Sequence, residues 1–348
     1  VNYKMDNSNT ISRYVRQEIF AGLGKKGQEK IKKARVAIIE MSSIGAAVAN
    51  NLARAGVGYI RLIDGDYIET AELQRQTIFT EKEAEDETPK AIAASEYLRS
   101  VNSEITIDPV ITDINSGTID NLIEDVDLIV DATDSMEVRL LLNEACHHLK
   151  KPWIYGGTLA SSGMTMNILP GSNQPCLKCF LGEEEYSPGE QPTCATVGIL
   201  NSAASMVAAL QSAEVLKLLT GSDAVRHDLV SFDVWENYFE YIPVDKDPDC
   251  PVCGKKDYAF YGKVTGSQTA TMCGKDSVQV IPKKEGEISF EKYAEKLSSQ
   301  GTVKYTKYTL DFNDGNIEIK LFKNGRAIIK HVSDEKRAKA VYAEYIGL

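Results

Sequence analysis

The stretch "VAIIEMSSIGAAVANNLARAGVGYIRLIDGD", residues 36–66, constrains the fold more than any other. It is preceded by Arg35, and "RVAIIE" is a continuous apolar run of strand length, suited to a strand buried on both faces. The residues that follow have a helical pattern, with Ser43 placed to cap the helix and Gly56 to end it. "GYIRLID" is a second strand that closes on an acidic turn. This strand–helix–strand outline is that of a mononucleotide-binding unit, whose first turn is normally rich in glycine. Here the turn reads Glu40-Met41-Ser42-Ser43-Ile44-Gly45, and only its last glycine is present.

The alternation continues. "TIDPVIT" and "VDLIVDATD" read as third and fourth strands, with helices in "PKAIAASEYLRSVN" and "MEVRLLLNEACHHLKK" and two more, "SRYVRQEIF" and "KKGQEKIKKA", before the first strand. Strands alternating with helices predict an α/β fold with a doubly wound, Rossmann-like, mostly parallel sheet. "PWIYGGTLASSGMTMNILP" and "HDLVSFDVWENYFEYIPV" offer short β runs, expected as antiparallel strands that extend this sheet. Between them, "GEEEYSPGEQPT" reads as an exposed loop. Beyond Cys253 the composition turns polar and basic. "SVQVIP", "SFEKYAEKLSS", "VKYTKYTLDF", "NIEIKLFKNGRAIIKHV" and "DEKRAKAVYAEYIG" read as β, α, β, a hairpin turning at Asn324-Gly325, and α. The expected division is a large domain over residues 1–257 and a small α+β domain over residues 258–348.

A net charge of −11 argues against a nucleic-acid binder, which would show a basic face. The longest apolar stretch, around Ala203 to Leu218, is interrupted by Ser205, Gln211 and Glu214, so it reads as a buried or interface helix and not a membrane span. The opening "VNYKMDNSNT" is polar and lacks the apolar core of a secretory signal. The seven cysteines are an odd number and four of them form two C-x-x-C pairs, which places the chain in a reducing compartment, the cytoplasm.

"PCLKC" supplies Cys176 and Cys179, and "DCPVC" supplies Cys250 and Cys253 about 70 residues later. Two such pairs suit a tetrahedral four-thiolate zinc site stapling distant segments, with no coordination position open for catalysis. A redox pair of the thioredoxin kind would follow a strand and open a helix, which neither pair clearly does; unpaired buried thiols are the remaining alternative.

"RYVRQ", "AGVGYIRLIDGDYIE", "LQRQTIF", "PKAIAASEYLRSVN", "DATDSMEVRLLLN" and the two cysteine pairs occur together in the order found in one superfamily. Over about residues 12–255 the chain resembles the ThiF/MoeB/HesA family, relatives of the ubiquitin-activating enzymes, and its C-terminal part resembles the extension of Bacillus-type members. The resemblance implies a homodimer that binds ATP and magnesium. It implies activation of the carboxyl-terminal Gly-Gly of a small ubiquitin-like sulfur carrier as an acyl-adenylate, for thiamine, molybdopterin or related biosynthesis. Neither nucleic acid nor membrane is an expected partner.

Residue by residue, the resemblance assigns Asp64 to the ribose hydroxyls and Arg75 and Lys90 to the triphosphate, with Gln76 adding a hydrogen bond. Asp134 would hold magnesium, Asp131 would be structural, and Arg16 would reach across the dimer to the partner's phosphates. Arg139 and Asn143 share a helix face and would support the site or simply pack. Cys194 stands where relatives often carry a cysteine able to form a thioester or persulfide, though a small buried residue is an equal reading. The expected catalytic set is thus Arg16, Arg75, Lys90, Asp134 and Cys194, and the expected nucleotide-binding set Ser43, Gly45, Asp64 and Gln76.

Three departures stand out. Glu40 and Ser42 occupy places where the family has glycine, and Glu72 stands where it has asparagine. A carboxylate about 5 Å from a phosphate charge costs on the order of 3 kcal/mol at an effective dielectric near 20. The expectation is therefore an adenylyltransferase with an altered phosphate loop. The alternative is a degenerate relative that keeps the fold and binds a carrier without adenylating it.

Overall fold

The computed structural model describes residues 12–171, 173–182, 194–263, 269–271, 277–282, 288–332 and 334–347. Two helices, α1 (Val15–Ile19) and α2 (Gly24–Lys33), lead into β1 (Arg35–Ile39), α3 (Ser43–Ala55) and β2 (Tyr59–Ile63). Helices α4 (Glu81–Glu85) and α5 (Lys90–Val101) precede β3 (Thr106–Val110), and α6 (Ile119–Ile123) precedes β4 (Leu128–Asp131). Then come α7 (Met136–Leu149), β5 (Trp153–Leu159), β6 (Ser162–Ile168), α8 (Leu177–Leu181), α9 (Cys194–Val197), α10 (Asn201–Thr220), β7 (Leu229–Asp233) and β8 (Tyr238–Ile242).

These strands form one sheet in the order β3-β2-β1-β4-β5-β6-β7-β8. Pairing is parallel from β3 through β5 and antiparallel from β5 to β8, as the sequence predicts. The apolar run of β1 is explained by burial on both faces. Val36 and Ile38 pack on one side with α3, α5 and α10, and Ala37 and Ile39 on the other with α6 and α7. Small residues of α10, among them Ala203, Ala204 and Ala208, are buried in the layer it shares with α3 in the same chain. No helix among the described residues is long and apolar enough to cross a membrane.

Beyond Phe260 the chain builds a second, antiparallel sheet from β9 (Thr269–Thr271), β10 (Ser277–Val280), β11 (Thr302–Tyr305), β12 (Thr309–Asn313), β13 (Glu318–Phe322) and β14 (Ala327–Lys330), with helices α11 (Phe290–Leu297) and α12 (Glu335–Tyr345). The Asn324-Gly325 hairpin is present, with Leu321 opposite Ala327. "VKYTKYTLDF" differs from expectation: it is two strands, because Thr306 Oγ1 accepts the amides of Tyr308 and Thr309 and turns the chain between them.

Candidate active site

In a doubly wound sheet, ligands bind at the carboxyl edge where strand order reverses, here between β1 and β4. The Glu40–Ser42 turn leaves β1 there, and Ala132–Asp134 leave β4. Ser42 ties the two, donating its hydroxyl to the Ala132 carbonyl at 2.7 Å while accepting the amide of Gly45. The helix cap is therefore Ser42; Ser43, expected in that role, is the first helical residue and is buried. Gly45 is required because any Cβ would run into the Glu40 carbonyl, so the one glycine kept from the fingerprint is the one that lets α3 lie against β1.

Glu40 adopts φ 67°, a left-handed backbone more natural to the glycine it replaces. Its Oε1 accepts the Thr133 hydroxyl at 2.6 Å, so the side chain lies across the crevice and not away from it. Burial, then the charges of Asp134, Asp64 and Asp66, push this carboxyl well above the usual glutamate range, with the Thr133 hydrogen bond opposing them. Asp64, at the end of β2, accepts the amides of Met41 and Asp66, each at 2.7 Å. Burial raises it to about 6, against the pull of Lys90.

Beside Asp64 lies a cationic group organised by Glu72. One oxygen, Oε1, accepts Lys90 Nζ at 2.8 Å and Gln76 Nε2 at 2.9 Å, with an Arg75 Nη2 at 3.9 Å. Lys90 begins α5, and its amide is held by the Asp66 carbonyl. Burial works against its charge, but Asp64, Asp66 and Glu72 together hold it above the ordinary lysine value. Gln76 is 1% exposed and its Oε1 is a buried acceptor with no partner among the described residues. Reading the sequence identified Glu72 as a departure but not as the hub, since its ion pair with Lys90 closes only through the tertiary fold.

Asp134 is exposed at the mouth, close enough to Glu40 to raise it. Asp131 is fully buried, bonded to Arg139 Nε at 3.1 Å and to the Thr133 amide, consistent with the structural role expected of it. Arg139 also donates to the carbonyls of Thr133 and Gly156, so it fixes the floor below Asp134. Asn143, one helical turn on, serves a different centre: it donates to Cys176 Sγ and accepts the Leu177 amide.

That centre is the four-cysteine cluster. The sulfurs of Cys176, Cys179, Cys250 and Cys253 all lie within 4.8 Å of one another. The separations of 4.0 Å for Cys176–Cys179, 3.6 Å for Cys176–Cys250 and 3.4 Å for Cys179–Cys253 bracket the spacing of about 3.8 Å that Zn–S bonds of about 2.3 Å impose on a tetrahedron. The donor set fits zinc. Contrary to expectation, Cys176 does cap a short helix, α8, but the convergence of both pairs leaves the zinc reading the better one.

Arg16, expected to serve the partner's site, does not join its own crevice. Arg16 is on α1, which packs at the other end of α3: Gln17 Nε2 donates to the Ala55 carbonyl there. A 13-residue helix separates that end from the phosphate turn, a distance of about 20 Å. Cys194 begins α9, but its side chain, like residues 183–193 before it, lies outside the described residues.

Against known proteins, a model of the ThiF family matches residues 14–252. The sulfur carrier protein ThiS adenylyltransferase of Bacillus subtilis is 38% identical over 338 residues, covering 96% of this chain and 99% of that protein. The molybdopterin-synthase adenylyltransferase of Salmonella typhimurium is 32% identical over 70% of this chain and 96% of its own. Among solved structures, Escherichia coli MccB with ATP aligns with a TM-score of 0.60 at 25% identity, over 70% of this chain and 74% of that one. On the family match and on an identity that runs past it through the second sheet, the chain belongs to the ThiF family and carries a C-terminal extension beyond the ThiF domain.

Proposed function

We propose that the protein adenylates the C-terminal glycine of a small ubiquitin-like sulfur-carrier protein. The observation that carries this reading is the gathering of Asp64, Lys90, Arg75 and Gln76 beside the β1–β4 crevice, with Asp134 at its mouth. The Bacillus subtilis relative, matched along almost its whole length, is named for that reaction on ThiS. In it, a carboxylate oxygen of the terminal glycine attacks the α-phosphorus of ATP, an acyl–phosphate bond forms, and the bond to the departing pyrophosphate breaks.

The residues fit the nucleotide. Each Asp64 oxygen already takes one amide and keeps a lone pair for a ribose hydroxyl. The free Gln76 Oε1 offers a further acceptor. Lys90 and Arg75 supply charge where the pyrophosphate develops its own, exchanging Glu72 for phosphate oxygen. Asp134 is the residue that would hold magnesium, which neutralises phosphate charge when bound. The four cysteines would hold a structural zinc, and the division near residue 258 would separate this unit from the C-terminal one.

ATP–pyrophosphate exchange tests the reading. It should require a cognate carrier and magnesium, fall below detection in Asp134→Ala, and drop about 10²–10³-fold in Arg75→Ala. Exchange that is undiminished in Asp134→Ala, or absent with every Gly-Gly carrier offered, would sink it.

The same reading makes the protein a homodimer, since Arg16 stands too far from its own crevice to act there. The outer face of α10, where Ser202, Ser205, Ala209 and Ala213 are exposed, offers small side chains that admit a second copy at close range. Arg16→Ala and Asp134→Ala should each be inactive alone. Mixed by subunit exchange, they should recover about a quarter of the wild-type rate, because half of the randomly formed dimers regain one intact site. No recovery in a mixture shown to contain heterodimers would exclude the trans arrangement.

A further inference from the structure

The second sheet is fastened directly to the segments that carry Asp64 and Lys90. Arg326, on the β13–β14 hairpin, is 1% exposed. One arm of its guanidinium pairs with Asp113, 3.0 Å from Oδ1, and the other donates to the carbonyl of Gly65, the residue between Asp64 and Asp66. Asp113 also accepts Gln279 Nε2 of β10 at 2.6 Å. Gly65 permits this approach, for a Cβ there would lie 2.5 Å from Asp113 Oδ1 and 2.6 Å from Arg326 Nη1.

Lys320 of β13 makes the second attachment. It too is 1% exposed, pairs with Glu87, and sits 4.7 Å from the centre of the Tyr67 ring, which in turn meets Phe322. Tyr67 bridges Pro89, and the Asp66 carbonyl holds the Lys90 amide. Two buried cations of the C-terminal sheet thus hold the two strands of one small clasp. One strand presents Asp64 to the crevice and through it fixes the Met41 amide of the phosphate turn; the other presents Lys90.

We infer that the C-terminal sheet is a positioning device for the nucleotide loops, with Arg326 and Lys320 as its positioning residues; the inference rests on the adenylation reading. A loop that must aim a carboxylate and an ammonium at one ligand loses affinity when it is free to move, because the ligand must then order it. Buried charges so placed are also costly unless both partners are present. The arrangement is therefore one in which the extension and the site require each other.

The test uses full-length Arg326→Gln, Arg326→Lys and Lys320→Met, checked for an unchanged metal content and circular dichroism. Without ligand, amide hydrogen exchange at Met41 and Asp66 should accelerate in Arg326→Gln. The KM for ATP in the exchange assay should rise about tenfold or more, while the rate at saturating ATP stays within about twofold. Arg326→Lys, which keeps the charge beside Asp113 but not the second arm, should recover part of the loss. Lys320→Met removes the second attachment while leaving Arg326 in place, and it should raise the KM for ATP in the same way if Arg326→Gln does not fold. Loosened amides with an unchanged KM, or amides that do not loosen in any variant, would overturn the inference. Wild-type protein that fails to bind ATP would overturn the adenylation reading instead, and the inference drawn from it, while the exchange at Met41 and Asp66 would still report whether the clasp holds.

Discussion

Replacing Cys176 or Cys250 with serine is expected to abolish metal binding at the four-cysteine cluster and lower the melting temperature by roughly 10 °C or more. The four sulfurs join the turn after β6 to the turn at Pro251–Lys255, so the site closes a loop of about 70 residues. Structural zinc supplies on the order of 10 kcal/mol to small zinc-dependent folds. A larger core needs only a fraction of that, but a loss of about 3–5 kcal/mol already corresponds to such a shift. Around the cluster, Cys176 and Cys250 are buried with Leu177 and Val252, and Asn143 orients the first pair from α7. Losing the metal therefore also loosens the packing of α8 against α7. Elemental analysis and calorimetry check both halves of the expectation. Protein purified metal-free at full stability, or a serine variant that melts with the wild type, would rule the site out as a structural staple.

Much of this fold was legible because burial on both faces leaves a plain mark. "RVAIIE" and "DLIVD" admit few readings other than a central strand, and helices of a dozen or so residues between them leave few alternatives to a doubly wound sheet. The cysteine pairs were legible for the same reason: their chemistry is local to four residues. Short elements such as α4 and α6 were not, since a five-residue helix has too little periodicity to register. The cap at Ser42 and not Ser43 is a one-residue difference set by the reach of its hydroxyl to Ala132 across the crevice.

At the site, sequence identified the participants but not their present partners. Lys90 and Gln76 were expected to face phosphate; in the fold both face Glu72, a contact between residues 18 positions apart in one case and four in the other. Arg326 and Lys320 left no signal at all. Each looks like an ordinary strand or hairpin cation until the second sheet is placed against Gly65 and Glu87.

The second large effect is expected from Glu40→Gly, which should tighten ATP roughly a hundredfold at a pH where Glu40 is ionised. The cause is the removal of a carboxylate held in the crevice by Thr133 beside Asp134 and Asp64; glycine also accepts φ 67° without the penalty of about 1–2 kcal/mol that a side chain incurs there, which stabilises the fold with and without ATP alike. The sign with pH follows from the raised value of Glu40. Its contribution to stability is complete below the ordinary glutamate range and is lost as pH rises through the folded value, so above that value the ionised group opposes both the fold and any phosphate brought near it. Wild-type affinity should therefore improve as the pH falls and Glu40 takes up a proton. In the variant that dependence should flatten, leaving the titration of Asp64, near 6, beside the charged Lys90. Ser42→Gly, the other restoration of the family's turn, should instead cost about 1 kcal/mol in stability, since it loses both the cap of α3 and the hydrogen bond to Ala132. Calorimetric titration of ATP across the pH range separates the cases. Glu40→Gly with unchanged affinity would mean that the phosphates do not pass the turn at all. A turn whose glutamate is tolerated because it stands off the nucleotide path would then shift the search for phosphate contacts to Lys90 and Arg75 alone.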